Sequence, residues 1–213
     1  MWNMLRLIAI AAACTVVLVA WVAAPHRVVA QDAVAQQASI DAPRSPVGFI
    51  KGYTWGWWGR NGRWAAPAAA TSMAELAKTN TEWATLAFVA HMPRHDIPMI
   101  AFADADPRMV SDAEVIRGIQ LARKHEMKVI LKPTFDCLDG VWRGKIAFTD
   151  GAGKPNAEAW DIWWKTYRAF MLHYAKIAAA HEVEALVVGC ELSSTEGYEK
   201  QWRDLIAAVR QVY

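Results

Sequence analysis

A parallel α/β architecture is what this sequence predicts, and three observations predict it. From Val47 onward, strand-like and helix-like segments alternate, the pattern of a parallel sheet joined by helical crossovers. The segment Ala185-Leu186-Val187-Val188-Gly189-Cys190-Glu191 is apolar without alternation until its last residue, which reads as a strand covered on both faces. Loops rich in Trp and Gly follow the first and third strands, where a barrel builds its working face. Two closures satisfy these observations, an open doubly wound sheet and a (β/α)8 TIM barrel. No Gly-x-Gly-x-x-Gly follows the first strand and no Walker pattern occurs, so the nucleotide-binding open sheet loses ground. The expectation is a TIM barrel of which 47–213 carries about the first four βα units, a half barrel.

The chain has 213 residues, which suits one domain behind a leader. Residues 1–30 read as a secretory signal peptide. Arg6 precedes an apolar run, Leu7–Ala24, broken only by Thr15, and small residues lead to a cut after Ala30. The run is also long enough to span a bilayer, so an uncleaved, outward-facing membrane anchor is the alternative. Residues 31–46 are polar, Ala-rich and punctuated by Pro43 and Pro46, and read as a linker. Gly48–Tyr53 is the first strand, and a short helix follows at about Thr71–Lys78. Glu82–Val89 is the second strand. Ser111 then caps a helix whose Val115, Ile116, Ile119 and Ala122 keep a helical period. Lys128–Thr134 is the third strand, with a loop running to about Asn156. A helix over Ala157–Ala180 sets Trp160, Trp163, Trp164, Tyr167, Phe170, Met171 and Tyr174 on one broad face. That spacing signals core packing before it signals a ligand box. The fourth strand ends at Glu191, and a last helix carries Trp202, Leu205, Ile206 and Val209.

Charge excludes one class of partner. Removing 1–30 takes away Arg6 and Arg27 and no acid, so Lys plus Arg falls from 23 to 21 against 21 Asp plus Glu. A formally neutral chain without a basic stripe gives no footprint for nucleic acid. Cys137 and Cys190 outlast the leader, and an exported compartment permits a disulfide between them. His91 and His95 stand four apart, but Pro93 between them argues against a helical ligand pair. No His-x-His, His-Glu-x-x-His or cysteine cluster occurs, so no metal or cofactor is expected. A Gly-x-Ser-x-Gly elbow is also missing, which disfavours a serine hydrolase.

The residues suited to chemistry collect at strand ends. Glu191 ends the fourth strand, where parallel α/β folds keep acids, bases and nucleophiles; a capping or salt-bridging Glu is the plain alternative. The first loop, Gly52-Tyr53-Thr54-Trp55-Gly56-Trp57-Trp58-Gly59-Arg60-Asn61-Gly62-Arg63-Trp64, is not written like a core segment. Indoles on loops offer a flat face to the C–H groups of sugar rings and an N–H to their hydroxyls. Some of these tryptophans are expected to plug the core instead. The third strand delivers Lys132-Pro133-Thr134-Phe135-Asp136, then Asp139-Gly140-Val141-Trp142-Arg143-Gly144. A Lys in a buried strand is costly unless paired or facing a polar cleft, so Lys132 is a site candidate. Asp136 pairs with Lys132 or Arg143, and either pairing serves a site or simple structure.

These residues resemble glycoside hydrolase family 113. The resemblance rests on Gly48-Phe49-Ile50-Lys51-Gly52, Leu131-Lys132-Pro133, Asp139-Gly140-Val141-Trp142-Arg143-Gly144 and Val188-Gly189-Cys190-Glu191-Leu192, in that order, and covers roughly Val47–Tyr213. It implies a (β/α)8-barrel endo-β-1,4-mannanase of the retaining clan A, acting on β-1,4-mannan or a related β-linked hexose polymer. Glu191 is then the general acid/base. Lys51, Lys132 and the loop tryptophans Trp55, Trp57 and Trp142 line sugar subsites, with Asp136 and Arg143 as further substrate contacts. The sequence departs from the family pattern at Thr134, often His there, and at Cys190, often Thr, which touches subsite preference more than reaction class. The resemblance also implies a nucleophilic Glu at the end of a seventh strand, beyond the four units seen here. The expectation is a secreted or periplasmic glycosidase fragment, inactive alone, with a polysaccharide or oligosaccharide as partner. A non-catalytic exported carbohydrate-binding half barrel is the alternative.

Overall fold

Four strands form one parallel sheet in the order β1-β2-β3-β4: β1 Gly52–Trp55, β2 Trp83–Met92, β3 Lys128–Cys137 and β4 Ala185–Leu186. The computed structural model of the protein describes residues 48–57 and 59–213; the expected leader (1–30) and linker (31–46) lie outside them. Helices connect successive strands: α1 Pro67–Ala77, α2 Asp112–Lys124, α3 Ala157–Ala180 and, after β4, α4 Glu199–Val209. This is the alternation the sequence predicts.

Local chemistry starts the first three helices. Pro67 opens α1, where its fixed φ suits the helix and its missing N–H costs nothing. Ser111 accepts from the Glu114 N–H while the Glu114 carboxylate accepts from the Ser111 N–H, a reciprocal capping box at α2. The Asn156 side chain accepts from the Ala159 N–H, 3.1 Å, at α3.

The sheet has one dry face and one polar face. Successive strand residues point to opposite sides, and Leu86, Phe88, Ala90 and Met92 of β2 join Leu131, Phe135 and Cys137 of β3 in the core against α3. The other face carries Val89 and His91 on β2, and Lys132, Thr134 and Asp136 on β3. Register places Ala87 beside Lys132, Val89 beside Thr134 and His91 beside Asp136. Polar character on this face therefore rises toward the carboxyl ends.

Boundaries differ from the sequence reading where polar residues interrupt a strand. β2 and β3 run on past Val89 and Thr134 to Met92 and Cys137, because Ala90, Phe135 and Met92 still bury on the dry face. β1 starts later than expected and is largely exposed. The fourth strand is the larger correction. Its ladder covers only Ala185 and Leu186, with the Val187 N–H adding a bond to the Leu131 carbonyl, 2.9 Å. The segment 185–190 is half-buried, not covered on both faces, because β4 is an edge of the described sheet, with β3 alone as its strand neighbour. Cys137 and Cys190 are free thiols, so the permitted disulfide is not formed. Among the described residues no helix is long and apolar enough to cross a membrane.

Candidate active site

Three chain segments converge at the carboxyl ends of β3 and β4. Beyond its short ladder, the β4 segment is steered by core aromatics. The Tyr167 hydroxyl of α3 donates to the Val188 carbonyl, 2.9 Å, and Trp202 of α4 lies so close to Gly189 that an added Cβ would fall 2.7 Å from its ring. Only Gly tolerates that approach. The chain then turns at Glu191, whose φ of 56° lies in the left-handed region, an uncommon conformation for a non-Gly residue and one found at functional turns.

The loop after β3 supplies the groups that hold Glu191. Trp142 Nε1 donates to Glu191 Oε2, 2.8 Å. Its ring lies over Gly144, where a Cβ would stand 2.5 Å from the indole, so Gly144 fixes the direction of Trp142. Arg143 is buried, and each of its three nitrogens donates a hydrogen bond. Nε donates to the Phe135 carbonyl, 2.6 Å; Nη1 donates to Glu191 Oε2, 2.6 Å; Nη2 donates to Asp136 Oδ1. One guanidinium thus joins a carboxylate of β3 to the carboxylate after β4. Trp57 completes the cluster, with Lys132 Nζ 5.1 Å and Arg143 Cζ 5.4 Å from its ring centroid, within cation–π range.

This company sets the charge state of Glu191. The Trp142 N–H bond first, then the Arg143 and Lys132 charges, hold its carboxyl below the ordinary range against the opposing effect of partial burial. At neutral pH it is an ionised acceptor. Both donors use Oε2, and the side chain is 51% exposed.

Of the residues predicted for the site, Glu191, Lys132, Asp136, Trp142, Arg143 and Trp57 come together. Lys51 does not join them, and Trp55 reaches the cluster only through a groove it lines with Trp57. Lys51 precedes β1 and faces Glu82 at 3.6 Å, at the amino end of the sheet. Trp55 leans on Trp64, ring centroids 4.8 Å apart, and gives its N–H to Ser72 Oγ, 3.0 Å. Trp64 itself is a core plug, 2% exposed, and buried Glu114 accepts from its N–H, 2.9 Å.

Read as a metal ligand with His95, His91 falls outside the site candidates of the sequence. The rule that selected Glu191, a polar residue ending a buried strand, selects His91 equally well. It lies in register with Asp136 and lines a groove of about 160 Å³ with Trp57, Arg60, Val89, Arg108 and Asp136. Among the described residues no cluster of His, Cys, Asp and Glu fits a metal ion.

A parallel βα sheet with a carboxylate turned out just past its fourth strand is the architecture of a half barrel. The family model described as Glycoside Hydrolase Family 113 matches residues 53–213, and the chain belongs to that family. Among solved structures it is similar to the family 113 β-mannanase AaManA from Alicyclobacillus acidocaldarius in complex with ManMIm. Identity there is 40% and the TM-score 0.72, over 79% of this chain and 53% of that one. Two structures of a family 113 β-1,4-mannanase, one of them a complex, match at 38% and 37% identity, both with TM-score 0.69, over 78% of this chain and 53% of theirs. The chain therefore spans about half the length of these structures. No curated protein matches the chain.

Proposed function

We propose that this chain carries the acid/base side of a retaining glycosidase acting on β-1,4-mannan or a related β-linked hexose polymer, with Glu191 as general acid/base. The observation that carries the reading is the position of Glu191. It is a half-exposed carboxylate just past the β4 ladder, with Oε2 held by Trp142 and Arg143 and Oε1 taken by neither. Trp142, 46% exposed, and Trp57 offer indole faces beside it for sugar rings. We take the leader as an export signal, which makes the working protein secreted or periplasmic.

A general acid must carry a proton, yet Glu191 is held ionised here. A second carboxylate facing it would raise its pKa by like-charge repulsion. Retaining cleavage requires such a partner, roughly 5–5.5 Å away, as nucleophile. When the nucleophile becomes esterified its charge disappears, and Glu191 falls back to the ionised form that acts as base on water. Arg143 ties Asp136 and Glu191 alike, and the resemblance gives the nucleophile's role not to Asp136 but to a Glu on a later strand. Residues 48–213 then bind sugar and hold the acid/base without completing hydrolysis. The depressed pKa of Glu191 also favours a second reading, a carbohydrate-binding protein in which Glu191 stays an ionised hydroxyl acceptor.

The coding sequence past the Tyr213 codon separates the two readings. A further strand ending in Glu, about 80–100 residues on by barrel spacing, supports the enzyme, and a stop supports the binding protein. In a protein with that second carboxylate, Glu191→Gln should lower single-turnover cleavage of mannan by ~10²–10⁴-fold, the usual worth of a placed acid. Aryl glycosides with good leaving groups should lose less in the glycosylation step. Equal loss on both substrates in that step contradicts the acid role.

A further inference from the structure

His91 and Asp106 form a dyad that neither the resemblance nor the cluster around Glu191 uses. Asp106 is buried, 1% exposed, and its Oδ2 pairs with His91 Nδ1. Its Oδ1 accepts from the Arg108 backbone N–H, 3.1 Å, and from Arg108 Nε, 3.3 Å. A carboxylate only accepts, so the proton of a neutral imidazole sits on Nδ1 and Nε2 is left as an acceptor. The backbone of His91 is fixed as well. Its N–H donates to the Ala101 carbonyl, 3.2 Å, and its carbonyl accepts from the Ala101 N–H, 2.8 Å.

The imidazole is thus locked in position and tautomer, while its side chain keeps 19% exposure. The exposed part lines the groove shared with Trp57 and Asp136. Cavities for whole drug-sized ligands run to ~300–1,000 Å³, so a groove of about 160 Å³ suits one unit of a longer chain. It offers the two elements a sugar ring needs, an indole beside it and polar groups at its edge. In register, His91 on β2 and Asp136 on β3 lie side by side, and Asp136 is joined through Arg143 to Glu191.

We propose that His91 is a substrate-positioning residue. Its Nε2 accepts a hydroxyl of a hexose unit seated in the groove by Trp57, and Asp106 sets its tautomer. This rests on the carbohydrate reading above and names the contact that extends the site from β4 back to β2.

The imidazole can be divided by substitution. Asn at this position keeps a donor near Nδ1 for Asp106, and Gln keeps a polar atom near Nε2. The full chain would be titrated with β-1,4-linked mannotetraose by calorimetry, with the His91 ring followed by ¹⁵N NMR. The proposal expects the Nε2 signal to move on binding. It also expects His91→Asn to retain the thermal midpoint while binding weakens by about tenfold, the worth of one good hydrogen bond. His91→Gln should bind more tightly than His91→Asn. If the oligosaccharide binds and perturbs Trp142 while His91 is silent and His91→Asn binds normally, the dyad only pins its loop. The proposal then fails and the carbohydrate reading stands. If mannotetraose does not bind at all, both fail.

Discussion

The aromatics of α3 and those of the loops after β1 and β3 differ in what meets their N–H groups and second faces. On α3, Trp163 is fully buried, stacked on Tyr167 with centroids 4.8 Å apart and planes 8° from parallel. Trp160 and Trp164 meet it edge-on, and Tyr198 packs against both of those. Among the described residues the indole N–H groups of Trp163 and Trp164 have no hydrogen-bond partner, so this slab uses indole as apolar area. Trp142 is the reverse case. It is 46% exposed and its N–H is engaged by the Glu191 carboxylate. One residue type serves two ends, and the partner of the N–H separates them.

The slab should break first and hardest. Trp163→Ala should cost about 3–5 kcal/mol, the range for removing a buried Trp, read as a fall in the denaturant midpoint. A loss as small as that of an exposed residue would mean the slab is loosely packed. Next comes Arg143, which joins the dry core to the wet site. Arg143→Met should cost about 1.5–3 kcal/mol, the scale of hydrogen bonds to charged groups. It should also let the Glu191 carboxyl rise toward its ordinary pKa, seen by carboxyl ¹³C NMR. An unchanged titration of Glu191 would deny Arg143 its electrostatic role.

A smaller effect tests how the loops are tied together. Asp139 accepts from the His95 ring at 2.7 Å and from the His95 backbone N–H at 3.1 Å, linking the β2 loop to the Trp142 loop. That ring contact first, with backbone donors helping against desolvation, lowers its pKa from 3.8 to about 2. A carboxyl whose folded pKa lies below its unfolded value stabilises above the unfolded value and loses that stabilisation as pH falls through the folded one. Stability should therefore decline between about pH 4 and pH 2, and Asp139→Asn should flatten that part of the profile. The same slope in both proteins would place the acid sensitivity elsewhere.

The α3 slab was legible because helical periodicity reports burial directly: Ala157–Ala180 is the helix found, with every aromatic assigned to its inner face buried. The capping box at Ser111 was half legible, since the cap shows in sequence and the buried partnership of Glu114 with Trp64 does not. The cluster at Glu191 was legible as a set of residue types at strand ends. Its wiring was not, because Arg143 chooses partners 7 and 48 residues away. Lys51 shows the limit of reading motifs without geometry. Lys51 lies at the opposite end of the sheet from Glu191, and Trp55 faces Ser72 and Trp64. The short ladder of β4 was hidden because an apolar run reads the same with one strand neighbour as with two.

If Trp142 serves a ligand while Trp163 serves the core, one paired measurement separates the two. Trp142→Ala and Trp163→Ala would each be examined by thermal unfolding and by calorimetric titration with β-1,4-linked mannooligosaccharides. Trp142→Ala should keep its thermal midpoint near that of the parent and weaken binding by about tenfold, the upper worth of a well-placed aromatic contact. Trp163→Ala should lose stability instead. If Trp142→Ala lowers the midpoint as far as Trp163→Ala and leaves oligosaccharide binding untouched, the loop is structural and the carbohydrate site at Glu191 is contradicted.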